Sequence, residues 1–156
     1  MTPSKAPMFR ELTREECDAL LARKHVGRIA FSYHDHVDIE PIHYVWEDGW
    51  IYGRTADGTK LRALAHNRWV AFETDEVSAM FDWQSAVIKG ALYLLAADGV
   101  RGEACEHAVE VLRRFNPDAL SENDPVPDRT VLFRIHADQV TGRQASTPPH
   151  GSTSDG

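Results

Sequence analysis

Eight consecutive residues, Arg54-Thr55-Ala56-Asp57-Gly58-Thr59-Lys60-Leu61, place a guanidinium, two hydroxyls, a glycine-containing loop and an ammonium beside the start of a short helix. That combination suits a phosphate. Backbone N–H groups at a helix start carry partial positive charge and point outward. Arg54 can clamp two phosphate oxygens, and Lys60 adds a compact point charge. The same residues also suit an ordinary loop in which Thr59 caps the helix and Arg54 and Lys60 are solvated. From the residues alone both readings stand.

Other groups able to do chemistry are scattered. His34, His36 and His43 lie across a hairpin, but a fourth ligand is missing, so no metal site is expected. His43 suits two roles, a hydrogen-bonded structural histidine or a proton donor near neutral pH. Trp83, just before Gln84, is the aromatic best placed to stack on a ligand; the other aromatics read as core or interface. Glu73, Asp75 and Glu76 end a strand and read as a solvated rim. Cys17 and Cys105 have no C-x-x-C spacing and read as small buried side chains on helices. There is no G-x-G-x-x-G, no G-x-x-x-x-G-K-[ST] and no arguable Ser-His-Asp set.

The elements that must position these groups alternate in period. Thr13 through Glu16 spell a capping box before a helix with Cys17, Leu20 and Leu21 on one face. Strands are expected at Arg28–Tyr33, Val37–Trp46 and Trp50–Arg54, with Asp48-Gly49 as a hairpin turn. Pro41 cannot donate to a ladder, which marks an edge, a bulge or a ligand-facing stretch. A short helix over Thr59–Asn67 precedes strands at Trp69–Glu76 and Trp83–Ala97, the latter bent near Gly90. An amphipathic helix over Gly102–Phe115, a polar loop over Asp118–Arg129 and a closing strand over Thr130–Val140 complete the pattern. About six strands with covering helices favour a mainly β (α+β) fold, a closed antiparallel sheet, over a doubly wound one.

The length of 156 residues suits a single domain, expected over 1–141, with the low-complexity stretch 142–156 as a disordered tail. No apolar run is long enough to span a membrane. The opening MTPSKAPMFRELT lacks the apolar core of a signal peptide, so a cytoplasmic location is expected. With a net charge of −7 and no basic patch, nucleic acid and membrane surfaces are not expected partners.

The order of I-E-P-I-H-Y-V-W, then W-I-Y-G-R-T-A-D-G-T-K-L-R-A-L-A-H-N, then W-Q-S-A-V-I-K-G resembles the pyridoxamine 5′-phosphate oxidase-like flavin-binding proteins, a group that includes nitroimidazole-resistance reductases. The likeness spans about Phe9 to Val140. It implies a six-stranded antiparallel split β-barrel of the FMN-binding type, with FMN at a homodimer interface. It implies ring contacts from Glu40, Pro41, Ile42 and His43, and phosphate contacts from Arg54, Thr55, Thr59 and Lys60, with Leu61 beside them. Trp83, Gln84 and Ser85 match the strand that reaches the flavin, often from the other subunit. The implied activity is an FMN-dependent oxidoreductase acting on a small-molecule substrate, with NAD(P)H as candidate reductant. The C-terminal segment of authentic pyridoxamine 5′-phosphate oxidases is absent from the resemblance, which leaves that particular activity in doubt. The family also admits F420 or haem in place of FMN, and modules that bind without turnover.

Overall fold

The computed structural model describes residues 6–56, 58–95 and 102–148, with the backbone alone at 59–62. Twelve elements follow in order: β1 (Met8–Glu11), α1 (Arg14–Arg23), β2 (Val26–Tyr33), β3 (His36–His43), β4 (Val45–Glu47), β5 (Trp50–Thr55), α2 (Thr59–His66), β6 (Trp69–Ala79), β7 (Asp82–Leu94), α3 (Glu103–Phe115), β8 (Val131–His136) and β9 (Gln139–Ser146). Every strand pairing is antiparallel. The main path runs β3-β2-β6-β7-β8-β5-β4, with β9 joining β7 to β1. The two ends of that path, β3 and β4, are joined by the chain at Tyr44 rather than by a ladder, so the split barrel is not fully hydrogen-bonded.

Among the described residues, nine strands stand where six are expected. The expected strand Val37–Trp46 divides at Tyr44, whose fully buried hydroxyl donates to the Leu21 carbonyl at 2.8 Å and whose N–H donates to the His25 carbonyl. Pinned to the end of α1, the chain leaves β2 there and turns to pair with β5. The expected strand Thr130–Val140 also divides, at Ala137-Asp138, where Ala137 donates its N–H to the Gly49 carbonyl. β9 then runs on through Ser146, so the tail boundary at residue 142 is overturned. Arg143 lies opposite both Ser85 of β7 and Glu11 of β1, and Ala145 is 2% exposed. Small and polar residues disguise this strand, because its two buried positions, Gly142 and Ala145, carry no apolar bulk. The expected end of the fifth strand at Ala97 lies outside the described residues.

β7 is the branch point. Trp83–Lys89 pair with β9, and Leu92–Leu94 pair with β8. Gly90 sits at the fork, where a Cβ would stand 1.7 Å from the His136 carbonyl oxygen, so the close approach of the backbone there requires glycine. The Asp48-Gly49 turn has positive φ at both positions (48° and 81°), the hairpin geometry that glycine makes cheap. The capping box is present, with the Glu16 N–H donating to Thr13 Oγ1 and the Thr13 N–H to Glu16 Oε1. The barrel interior is filled by Ile29, Tyr44, Ile51, Phe72, Ile88 and Phe133. A second cluster lies outside the barrel wall, where α3 lays Cys105, Val109, Val111 and Leu112 on Tyr52 and Leu132. Cys17 and Cys105 are both buried and free. Among the described residues, no helix is long and apolar enough to cross a membrane.

Candidate functional site

A cleft of about 460 Å³ opens where three pieces of chain meet. These are the β3–β4 corner (His43, Tyr44, Val45), the end of β5 (Arg54), and the C-terminus of α3 with the loop after it. The volume lies in the range of small-molecule sites. His43 from the expected ring strand and Arg54 from the expected phosphate segment thus share one wall.

β3 is an edge strand, the place in a sheet where a proline such as Pro41 is tolerated. Its alternation leaves Pro41 and His43 exposed, while Ile42 is 7% exposed and belongs to the core. Of the expected ring contacts, Pro41 and His43 can therefore present side chains outward; Ile42 could offer backbone alone, and Glu40 is half-buried. His36 and His43 lie at opposite ends of β3 and do not converge. Tyr44 is locked beneath the corner, packed edge-on against Phe72, and burial pushes its hydroxyl up to about 12.

Arg54 is engaged within the chain. Its guanidinium donates from Nη1 and Nη2 to the two carboxylate oxygens of Asp124, with Nη2···Oδ1 at 2.8 Å. The side chains are 9% and 2% exposed. Asp124 also accepts the Leu120 N–H at 2.7 Å and the Val126 N–H at 3.0 Å. The guanidinium and these N–H groups hold the Asp124 carboxyl well below the usual carboxylate range. The pair ties the 118–129 loop to the barrel, so Arg54 builds the cleft wall instead of standing free as a clamp. Thr55 follows, half-buried and opposite Val131.

α2 starts three residues beyond Ala56. Gly58 is its N-cap and Thr59 its first residue, so Thr59 does not take the capping role weighed for it. No side chain caps this helix, and its first turn holds no acidic residue. The side chains of Thr59, Lys60 and Leu61 lie outside the described residues, as does Asp57. Further along, Ala63 and Leu64 anchor α2 in the core.

Trp83, Gln84 and Ser85 are not brought to this cleft. Trp83 and Gln84 line a separate, shallower hollow with Glu76, Asp82 and Gln144. Gln84 donates to Gln144 at 2.8 Å and accepts from Arg23 at 2.9 Å. Ser85 donates to Glu73 at 3.2 Å. The carboxylates nearby match the expected solvated rim only in part. Glu76 is one, held at about 2 by Arg23 and Lys24. Glu73 is half-buried on the outer face of the sheet, and burial, then Asp75, raise its carboxyl.

Sequence reasoning missed Asp124, Phe115 and Arg129. The Asp124 signal is a partnership across 70 residues, which no local spacing reveals. Phe115 carried a weak signal, a large aromatic at a helix end that remains 45% exposed.

A model of the pyridoxamine 5′-phosphate oxidase family matches residues 13–144. The chain belongs to this family. It is similar to an uncharacterized protein of Rhizobium meliloti, 28% identical over 147 residues, covering 87% of this chain and 95% of that one. Among solved structures it is similar to a FAD-binding protein of Mesorhizobium loti, with 26% identity, a TM-score of 0.72, and 90% and 99% of the two chains covered. The FAD-binding protein of Mycobacterium smegmatis is 27% identical, with a TM-score of 0.61 and 87% and 97% of the two chains covered.

Proposed function

We propose that this protein is a flavin-dependent oxidoreductase that holds FMN between two copies of the chain and reacts it with a small molecule. The observation that carries the reading is the cleft joining His43 on β3 to Arg54 on β5; the helix that follows β5 along the chain, α2, has a start that no side chain caps. The donor set fits a flavin phosphate: free N–H groups of the first turn of α2, with the Thr59 hydroxyl and the Lys60 ammonium on that turn. Arg54 serves the site indirectly, by fixing the loop through Asp124.

Bound flavin supplies the hydride or electron transfer. The chain's residues position it and the substrate. Pro41 and His43 present an exposed edge for a planar ring, and His43 can give or take a proton at the reacting molecule. Apolar side chains from α3 and the loop keep water from the cleft. A second copy supplies Trp83, Gln84 and Ser85, which one copy alone keeps apart from the cleft. NAD(P)H docks transiently as reductant, since the chain has no dinucleotide loop.

A second reading keeps the site and replaces FMN by FAD. It is favoured by the two FAD-binding proteins that match over nearly their whole length. Heat release followed by mass spectrometry of the freed small molecule separates the two. FMN is expected, FAD would shift the reading to the second form, and haem, F420 or no flavin would defeat both.

A further inference from the structure

The cleft has a charge pattern that the flavin reading does not use. Two cations line it, Arg54 and Arg129, and none of the lining residues is a carboxylate. Arg54 is neutralised by Asp124 behind the wall. Arg129 is half-buried, and its backbone is spent within the loop: its N–H donates to Val126 and its carbonyl accepts from Arg54. Its guanidinium has no ion-pair or hydrogen-bond partner among the described residues. In a chain of net charge −7 this makes Arg129, among the described residues, an uncompensated cation in the lining of a largely apolar cleft.

The remaining walls select shape. Phe115 stacks on His25 with centroids 4.1 Å apart and planes 17° from parallel, so one ring face is occupied and the ring's orientation is fixed. Its centroid lies 6.3 Å from that of His43, which also lines the cleft. Leu112, Val45, Pro117 and Val126 close the apolar sides. A flat ring can lie against Phe115 with an anionic substituent reaching Arg129, and His43 can donate from a ring N–H.

We infer that this cleft binds a planar aromatic anion, an aromatic carboxylate or a molecule of the same shape and charge, with Arg129 as its charge partner and Phe115 as its stacking surface. That the anion is the molecule reacting with the flavin rests on the function proposed above; the binding preference does not.

The test is calorimetric titration of the purified protein with 4-nitrobenzoate and with nitrobenzene, its near-neutral-shape counterpart lacking the carboxylate. The anion should bind about tenfold or more tightly than nitrobenzene, as one charge-assisted bond provides. Arg129→Gln, which keeps the backbone bonds, should remove that gap while the melting temperature and nitrobenzene affinity hold. Phe115→Ala should weaken both ligands together. Equal affinity for the two probes, failure of both to bind, or a gap that survives Arg129→Gln would each overturn the inference. Flavin content, read from absorbance in the same preparations, judges the proposed function separately: material without flavin would sink that reading while leaving the charge preference to the titration.

Discussion

The barrel has two outer walls, and they are finished differently. On the β4-β5-β8 wall, Tyr52 and Leu132 point outward and are 3% and 2% exposed, because α3 covers them with Cys105, Val111 and Leu112. On the β3-β2-β6 wall, Val37, Ile39 and Trp69 point outward and are 76%, 67% and 51% exposed. Both walls obey the same two-residue alternation, with an apolar inward face. The covered wall carries its own lid, held down by a desolvated ion pair with every carboxylate oxygen engaged. The bare wall carries apolar side chains around Arg28, Glu73 and Asp75, a mixture that suits contact with another surface more than contact with water. One wall is completed within the chain; the other, on the function proposed here, by a second copy.

The sharpest way to break this contrast is to remove the lock on the covered wall. Asp124→Ala strands the Arg54 guanidinium and frees the Leu120 and Val126 N–H groups. Loss of one partner of a buried pair is strongly destabilising, and the melting temperature should fall by roughly 10 °C. A fall of less than about 2 °C would mean that the loop is held by its apolar contacts and that the lock is incidental.

The bare wall predicts the opposite phenotype. Ile39→Glu places a charge on an edge-strand position that is already exposed, so the far-UV spectrum of the variant should match the wild type. Its assembly should not. Sedimentation should show a dimer for the wild type and a monomer for Ile39→Glu, with flavin lost at the same step. A variant that stays dimeric would move the interface off this wall.

Lys60→Ala sharpens the comparison at the boundary between the two walls. It should weaken flavin binding about ten- to a hundredfold in a fluorescence titration, the worth of one charge-assisted bond. Stability of the flavin-free protein should be unmoved, unlike the Asp124 variant. An unchanged affinity would place the phosphate elsewhere.

The two walls were not equally readable from the residues. The covered wall announced its lid, because Cys105, Val109 and Leu112 recur at helical spacing and Asn116-Pro117 stops them. It did not announce the lock, since Arg54 and Asp124 meet only after the loop folds back. The phosphate segment was readable because its donors are consecutive, yet its arginine is turned to structural use by a partner far along the chain. Across the rest of the barrel the strands β2, β6 and β7 were plain, whereas β1 and β9 were hidden: Met8–Glu11 is exposed throughout, and β9 buries glycine and alanine where a hydrophobic pattern would need bulk. Burial by small residues against a neighbouring strand leaves almost no periodic signal.

The smallest expected effect concerns the carboxylates that distinguish the walls in pH. Glu73 faces Arg28 on β2, Asp75 on its own strand, and Ser85 on β7, with Arg143 of β9 opposite that serine. Burial raises its carboxyl first, the hydrogen bond and charge of Asp75 add to this, and Ser85 and Arg28 offset them in part. A carboxyl raised above its unfolded value of about 4.3 weakens the folded state at neutral pH, and that cost is relieved as the solution acidifies. Asp124 on the covered wall is depressed, so its contribution holds at neutral pH and fades only as pH falls below the usual carboxylate range. Wild-type melting temperature should therefore rise as the solution is acidified from neutral toward the usual carboxylate range, then fall at lower pH as Asp124 and Glu76 take up protons. The rise should be small beside the roughly 10 °C expected for Asp124→Ala. In Glu73→Gln the rise should disappear while the acid fall remains, since the two limbs belong to different carboxylates. A Glu73→Gln profile that keeps its rise would assign the neutral limb to another group and leave the bare wall electrostatically inert.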